Sequence, residues 1–317
     1  VAEDWAAQYG PRTDDVRRAL AWAFGPGGDG ALGLRLTAAA LPLWGVLGRV
    51  SEQRSRVKTA LGIAETAPGC DVRVRLKLMS SRAWSLTYAA QRPQDAEPPW
   101  EACLRLAREA GDTEYLLRAL LGQATHETFT GQSVAAIGTL LEFKAIAEQA
   151  QAWSALPDAL RLLALARVYT GEIAEGGEML EQLAQQCDRV EARGQVITFS
   201  VERYCIIRSS LAFTRWLRGD VDGALAVAAE AVDAAVEIAH AVSHSNSLAF
   251  AGAPLALWSG QLDLAEAAIA ALQGNLAIRN TVVWGRLTRF FASALAHARR
   301  EDGALAEMAT NLDEVLE

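Results

Sequence analysis

His240 and His244 stand one helical turn apart, in the polar run Ser243-His244-Ser245-Asn246-Ser247. Two imidazoles at i and i+4 can chelate a metal, but the H-E-x-x-H pattern of zinc hydrolases needs a glutamate between them, and here Ala241, Val242 and Ser243 intervene. The spacing therefore points away from metal chemistry. The run falls near the start of a helix that the apolar pattern carries on to Trp258. Backbone N–H groups at a helix start, beside hydroxyls and an imidazole, can hold an anionic or hydroxyl-rich ligand; the plainer alternative is a solvated loop and N-cap.

A second set couples aromatic rings to arginines. Trp84, Tyr88, Tyr204 and Trp284 fall on helices expected to be first in their pairs, and Arg203, Arg208 and Arg286 lie close in sequence. A guanidinium can bind a carboxylate while a neighbouring ring stacks on an apolar body. With His244 and Asn246, these seven make the expected ligand-binding set. Trp44, Trp216 and Trp258 share one phase of a repeat and read instead as hairpin core.

Other chemistry is weaker. Gly25-Pro26-Gly27-Gly28-Asp29-Gly30 has no strand before it and no Lys after it, so it reads as a helix connector and not a phosphate cradle. Asp14 and Asp15 suit the positive end of a helix dipole. The chain has no G-x-x-x-x-G-K-[ST] loop, which excludes ATP hydrolysis by that mechanism. No spaced acid pair suggests glycoside hydrolysis in an α/α-barrel. The expectation is a protein with no catalytic residue, metal or cofactor.

Those residues need a scaffold, and composition indicates which. Of 317 residues 51% are hydrophobic and 21% charged, a balance that excludes a disordered chain. Alanine is heavily used, proline is scarce and β-branched runs are short, so an all-α fold is expected. The net charge of −8 argues against direct contact with nucleic acid. Cys70, Cys103, Cys187 and Cys205 are widely separated and read as buried thiols in a reducing compartment. Without a long apolar run or signal core, the expectation is a cytoplasmic protein with no membrane contact. A start at Val1 suggests a piece of something longer.

The helices are organised by a repeat of about forty residues. An aromatic followed closely by Gly ends a helix at Trp44–Gly48, Phe129–Gly131, Tyr169–Gly171, Trp216–Gly219 and Trp258–Gly260. A unit lacking its glycine should turn near Ala90, and another turn should fall near Arg300 to Gly303. Gly allows the left-handed conformation at a helix end, and Asp or Gln after it can cap the next helix. Small residues such as Ala224, Ala228, Ala231, Ala265 and Ala268 let helices approach closely. The pattern predicts helices over 14–24, 30–48, 51–65, 71–90, 98–110, 113–130, 133–150, 155–170, 173–190, 195–218, 221–240, 244–259, 262–273, 279–299 and 303–316. Pro42 and Pro254 occupy the same phase, six residues before their glycines, and each is expected to bend its helix. The stretch 91–99 is the expected irregularity in one repeat domain covering 1–317.

The stretch Trp216-Leu-Arg-Gly219-Asp220-Val-Asp-Gly-Ala224-Leu resembles the tetratricopeptide consensus, and Trp258-Ser-Gly260-Gln261-Leu-Asp-Leu-Ala265-Glu is similar. More specifically, residues 204–317 resemble the C-terminal region of large bacterial winged-helix transcriptional regulators that carry an ATPase of the STAND type. The resembling stretches are Ala224 to Ser247, Ala253-Pro254-Leu-Ala-Leu-Trp258 and Val283-Trp284-Gly285-Arg286; Asp14-Asp15-Val-Arg-Arg-Ala-Leu-Ala-Trp22 resembles the helix that follows their ATPase. The resemblance implies a right-handed superhelix of antiparallel helix pairs, a tetratricopeptide-like α-solenoid. It further implies a non-catalytic sensor that binds an effector, small molecule or protein, in the concave groove lined by first helices. Its partners would be that effector and the ATPase and winged-helix modules of the same full-length protein. The alternative is a constitutive protein-interaction scaffold without a small-molecule ligand.

Overall fold

A computed structural model describes residues 8–47, 49–66, 69–87, 100–187, 202–278 and 282–316, and among them all regular structure is helical. They divide between two compact units. The first holds α1 (Thr13–Ala23), α2 (Gly30–Val46), α3 (Val50–Thr66), α4 (Val72–Thr87), α5 (Glu101–Ala110), α6 (Thr113–Phe129) and α7 (Ser133–Gln149). The second holds α8 (Leu156–Tyr169), α9 (Ile173–Gln186), α10 (Arg203–Leu217), α11 (Val221–Glu237), α12 (Ala241–Ser247), α13 (Ala253–Trp258), α14 (Leu262–Ile278), α15 (Val282–Ala298) and α16 (Ala304–Leu316).

Each unit is a stack of helix hairpins. In the first, α2 packs on α3 and α6 on α7, and the first helices pack on one another, α2 on α4 and α4 on α6. In the second, α8 pairs with α9, α10 with α11, α13 with α14 and α15 with α16, while α8, α10, α12–α13 and α15 form the adjoining row of first helices. This is the stacking of an α-solenoid.

The turns explain the repeat. Gly131, Gly171, Gly219 and Gly260 are all left-handed, with φ of 76, 96, 85 and 70°. After each, the next residue donates its N–H five residues back: Gln132 to Glu127, Glu172 to Arg167, Asp220 to Arg215 and Gln261 to Ala256. A side chain at the glycine would meet the αL penalty, so the spacing of the motif follows from one backbone geometry. In the last pair Arg300 takes the left-handed position at 61°, and Glu301 donates to Ala296. Capping is more selective than the sequence suggested. Asp220 accepts from the Gly223 N–H at 3.0 Å, but Gln132, with a longer side chain, caps nothing and donates to Thr130 Oγ1. The turn expected at Gly48, the break near Ala90 and the irregularity at 91–99 lie outside the described residues.

Alanines occupy the second unit's interior. Ala164, Ala212, Ala224, Ala228 and Ala251 are buried in one cluster with Leu180, Leu211 and Leu255. The two prolines behave differently. The α2 helix runs unbroken through Pro42. Ahead of Pro254 the rod from Ala241 to Trp258 widens into a π turn over Leu248–Gly252, where the Ala253 N–H bonds to the Leu248 carbonyl. Proline cannot donate to the carbonyl four residues back, and its ring crowds that carbonyl; the wider turn relieves both conflicts.

Candidate functional site

The polar run sits inside the second unit and not in a solvated loop. His240 caps α12: its Nδ1 accepts from the Ser243 N–H at 3.3 Å and lies 2.7 Å from Ser243 Oγ. Ser243 Oγ accepts from the Glu202 N–H at 2.8 Å, and Glu202 Oε2 caps α10 through the Cys205 N–H at 3.0 Å. Ser247 Oγ lies 3.4 Å from Ser209 Oγ. Ser243 and Ser247 are both 0% exposed, so this seam ties α12 to α10 and its hydroxyls are committed internally. His244 faces elsewhere. Asn275 Nδ2 donates to His244 Nδ1 at 3.0 Å, and burial depresses the imidazole's pKa, so the ring is held neutral.

Aromatic rings are displayed on the first helices of this unit. Tyr169 of α8 meets Phe213 of α10 at 6.1 Å between centroids, Phe213 meets Trp258 of α13 at 6.3 Å, and Trp258 meets Trp216 of α10 at 5.1 Å. The Trp216 indole donates to Ser259 Oγ at 3.1 Å, which fixes its orientation. Tyr169 and Trp258 are each 53% exposed. A second contact joins Phe250, in the π turn, to Trp284 of α15, edge to face at 5.7 Å. Offset and edge-on rings in contact hold one another rigid while keeping apolar surface open to a ligand.

This row was missed in the sequence, where Trp258 was expected in the core. Trp44 is indeed fully buried, but Trp258 is not. The usable signal was finer: Phe129, Tyr169 and Trp258 all stand two residues before a turn glycine, and all are more than half exposed. That phase lies at the end of the last helical turn, beyond the buried stripe.

The expected ligand set is dispersed. Trp84 belongs to the first unit, edge-on to the buried Trp100 at 5.1 Å. Tyr88 lies outside the described residues. Arg203 grips Asp158 of α8 through two bonds of 2.8 and 3.2 Å and donates to the Ser154 carbonyl. Arg208 lies over the buried Tyr204 ring, 3.4 Å from its centroid, with Nε 3.3 Å from Glu230 of α11 and Nη2 3.5 Å from the Ala184 carbonyl of α9. Arg208 thus reaches second helices. Trp284 meets Phe250 as described, whereas Arg286, two residues on, leaves α15 on another side. Within the expected set, three polar atoms are buried without a hydrogen-bond partner: Arg208 Nη1, Asn246 Oδ1 and Arg286 Nη1.

Among the described residues no group of three His, Cys, Asp or Glu is placed to hold a metal. None of their helices is long and apolar enough to cross a membrane.

No protein-family model matches the sequence, and no curated protein matches it. Among solved structures, the chain is similar to a signal transduction ATPase with numerous domains (STAND) with a tetratricopeptide repeat sensor, from Pyrococcus horikoshii, with a TM-score of 0.52 and 13% identity. The alignment covers 99% of this chain and 47% of that one, so the chain spans about half the length of that protein. At this identity the likeness establishes the tetratricopeptide-like helical fold.

Proposed function

We propose that the chain is a non-catalytic sensor and interaction region, and that the first-helix face of its second unit binds an effector. The observation that carries this reading is the connected row of Tyr169, Phe213, Trp216 and Trp258, ordered by mutual contact, with Tyr169 and Trp258 each more than half exposed. The fold shared with a sensor-bearing STAND protein supports the same reading. Attached ATPase and winged-helix modules, working in the cytoplasm, would turn effector occupancy into transcriptional regulation. Coupling of that kind requires the effector to bind two states of the protein with different affinity.

A second reading is a constitutive scaffold that grips an extended peptide, and the span of the row over three successive first helices favours it over a random patch. One screen separates the two. In a thermal-shift screen against a metabolite panel, a compound should raise the melting temperature of the wild type and not of Trp258→Ala or Phe213→Ala. Hits that stabilise the variants equally would contradict the effector face; a panel with no hit, alongside a peptide that binds only the wild type, would leave the scaffold.

A further inference from the structure

Asn246 is 7% exposed, and its Oδ1 is buried without a partner. Phe250 follows four residues later, and through the end of α12 and the opening of the π turn that spacing returns to the same face of the rod. The Phe250 ring is 40% exposed and is braced by Trp284. From Ala241 to Trp258 there is no Asp, Glu, Lys or Arg. A primary amide with an unpartnered oxygen therefore stands on the same face as a pair of rings, on a rod without formal charge.

Resting on the effector-face reading, we infer that this corner recognises an uncharged planar heterocycle carrying an amino group beside a ring nitrogen, the edge presented by an aminopurine. A primary amide offers an acceptor and a donor side by side. The acceptor Oδ1 takes an amino N–H and the amide NH2 donates to the N7-type ring nitrogen beside it, the pairing by which Asn reads adenine. Phe250 and Trp284 supply π-faces for the flat body. The rod itself offers a charged ligand no counter-charge for the hydration it would lose. Asn246 Oδ1 is covered in the free protein, so binding requires the corner to open, and the exposed Phe250 ring on the same face is the side chain whose turning would admit the ligand edge.

The test is isothermal titration of the whole chain with adenosine, inosine and a single-stranded adenine octamer, in the wild type and in Asn246→Leu, with thermal melts of both proteins. Adenosine should bind the wild type. Affinity should fall by about tenfold or more for inosine, where a carbonyl replaces the amino group, and for Asn246→Leu with adenosine. The Asn246→Leu melt should match or exceed the wild type, because an apolar side chain of similar shape replaces an unmet buried acceptor. The octamer should bind no tighter than adenosine, since the rod carries no cation for phosphates. No adenosine binding, equal affinity for inosine, undiminished binding by Asn246→Leu or tighter binding of the octamer would each overturn the assignment. If adenosine fails while another metabolite still gives Trp258-dependent stabilisation, the effector face stands and only this ligand class falls; loss of both removes both.

Discussion

In the first unit the indoles of Trp44 and Trp100 have no exposed surface, whereas in the second Trp258 keeps 53% of its surface open and Tyr169 the same. The difference lies in what fills the hairpins. Trp100 occupies the space between α4 and α6 so fully that a Cβ added at Gly122 would fall 2.2 Å from its ring. The second unit closes its hairpins with alanines, Ala164, Ala212, Ala224 and Ala228, and bulky rings are left over for the surface. The first unit also exposes rings, Trp22, Phe129 and Trp153, so the contrast lies in the hairpin interiors: bulk placed there builds a scaffold, while in the second unit the contacting rings of Tyr169, Phe213, Trp216 and Trp258 lie over a close-packed alanine core.

The largest effect expected from breaking this contrast is in the first unit. Trp100→Ala should cost about 3–5 kcal/mol, read from denaturant unfolding, because it empties a close-packed site. Gly122→Ala should destabilise through the same ring. In the second unit Trp258→Ala should cost about 1 kcal/mol, the scale of exposed ring contacts, while abolishing effector-induced stabilisation. A loss as large as that of Trp100→Ala would place Trp258 in the core. Pro254→Ala should let the π turn revert to α-helical hydrogen bonding and rotate the segment ahead of it, with loss of the Phe250–Trp284 contact in NMR cross-peaks; retention of the contact would show that packing and not proline sets the turn.

The smallest effect is a pH dependence that reports on each unit separately. Burial holds the imidazoles of His126 in the first unit and His244 in the second below their ordinary value of 6.5. Between those lowered values and 6.5 the unfolded chain binds more protons than the folded one, so stability should fall as pH drops through that window and level off beneath it. Replacing either histidine with Gln should remove part of the slope in melting temperature against pH. An unchanged slope would show that the imidazoles titrate as if exposed.

Much of the fold was legible because it depends on local backbone chemistry. Positive φ at Gly131, Gly171, Gly219 and Gly260 is a property of glycine itself, and the alanine stripe of α11 buries as its spacing required. The site was less legible because neighbouring repeats decide it. Trp44 and Trp258 share an aromatic–Gly motif, yet Trp44 stands four residues before its glycine and Trp258 two, a difference that puts the two rings on different faces of their helices. His244 meets Asn275 from the next helix, a contact that no local pattern announces. Arg203 and Arg208 looked available until Asp158 and Glu230 came near from other helices. Pro42 and Pro254 share a phase but only the second brings a π turn, so proline alone does not set the local geometry.

Recognition belongs to the contacting rings of the second unit and support to the buried rings of the first. The most direct test of this division is the set of tryptophan indole N–H resonances, assigned one by one and followed while a small-metabolite fraction is titrated into the chain. Movement is expected at Trp216, Trp258 and Trp284, with Trp44, Trp84 and Trp100 unmoved. Shifts centred on Trp44, Trp84 and Trp100, or none at Trp216, Trp258 and Trp284, would contradict the division.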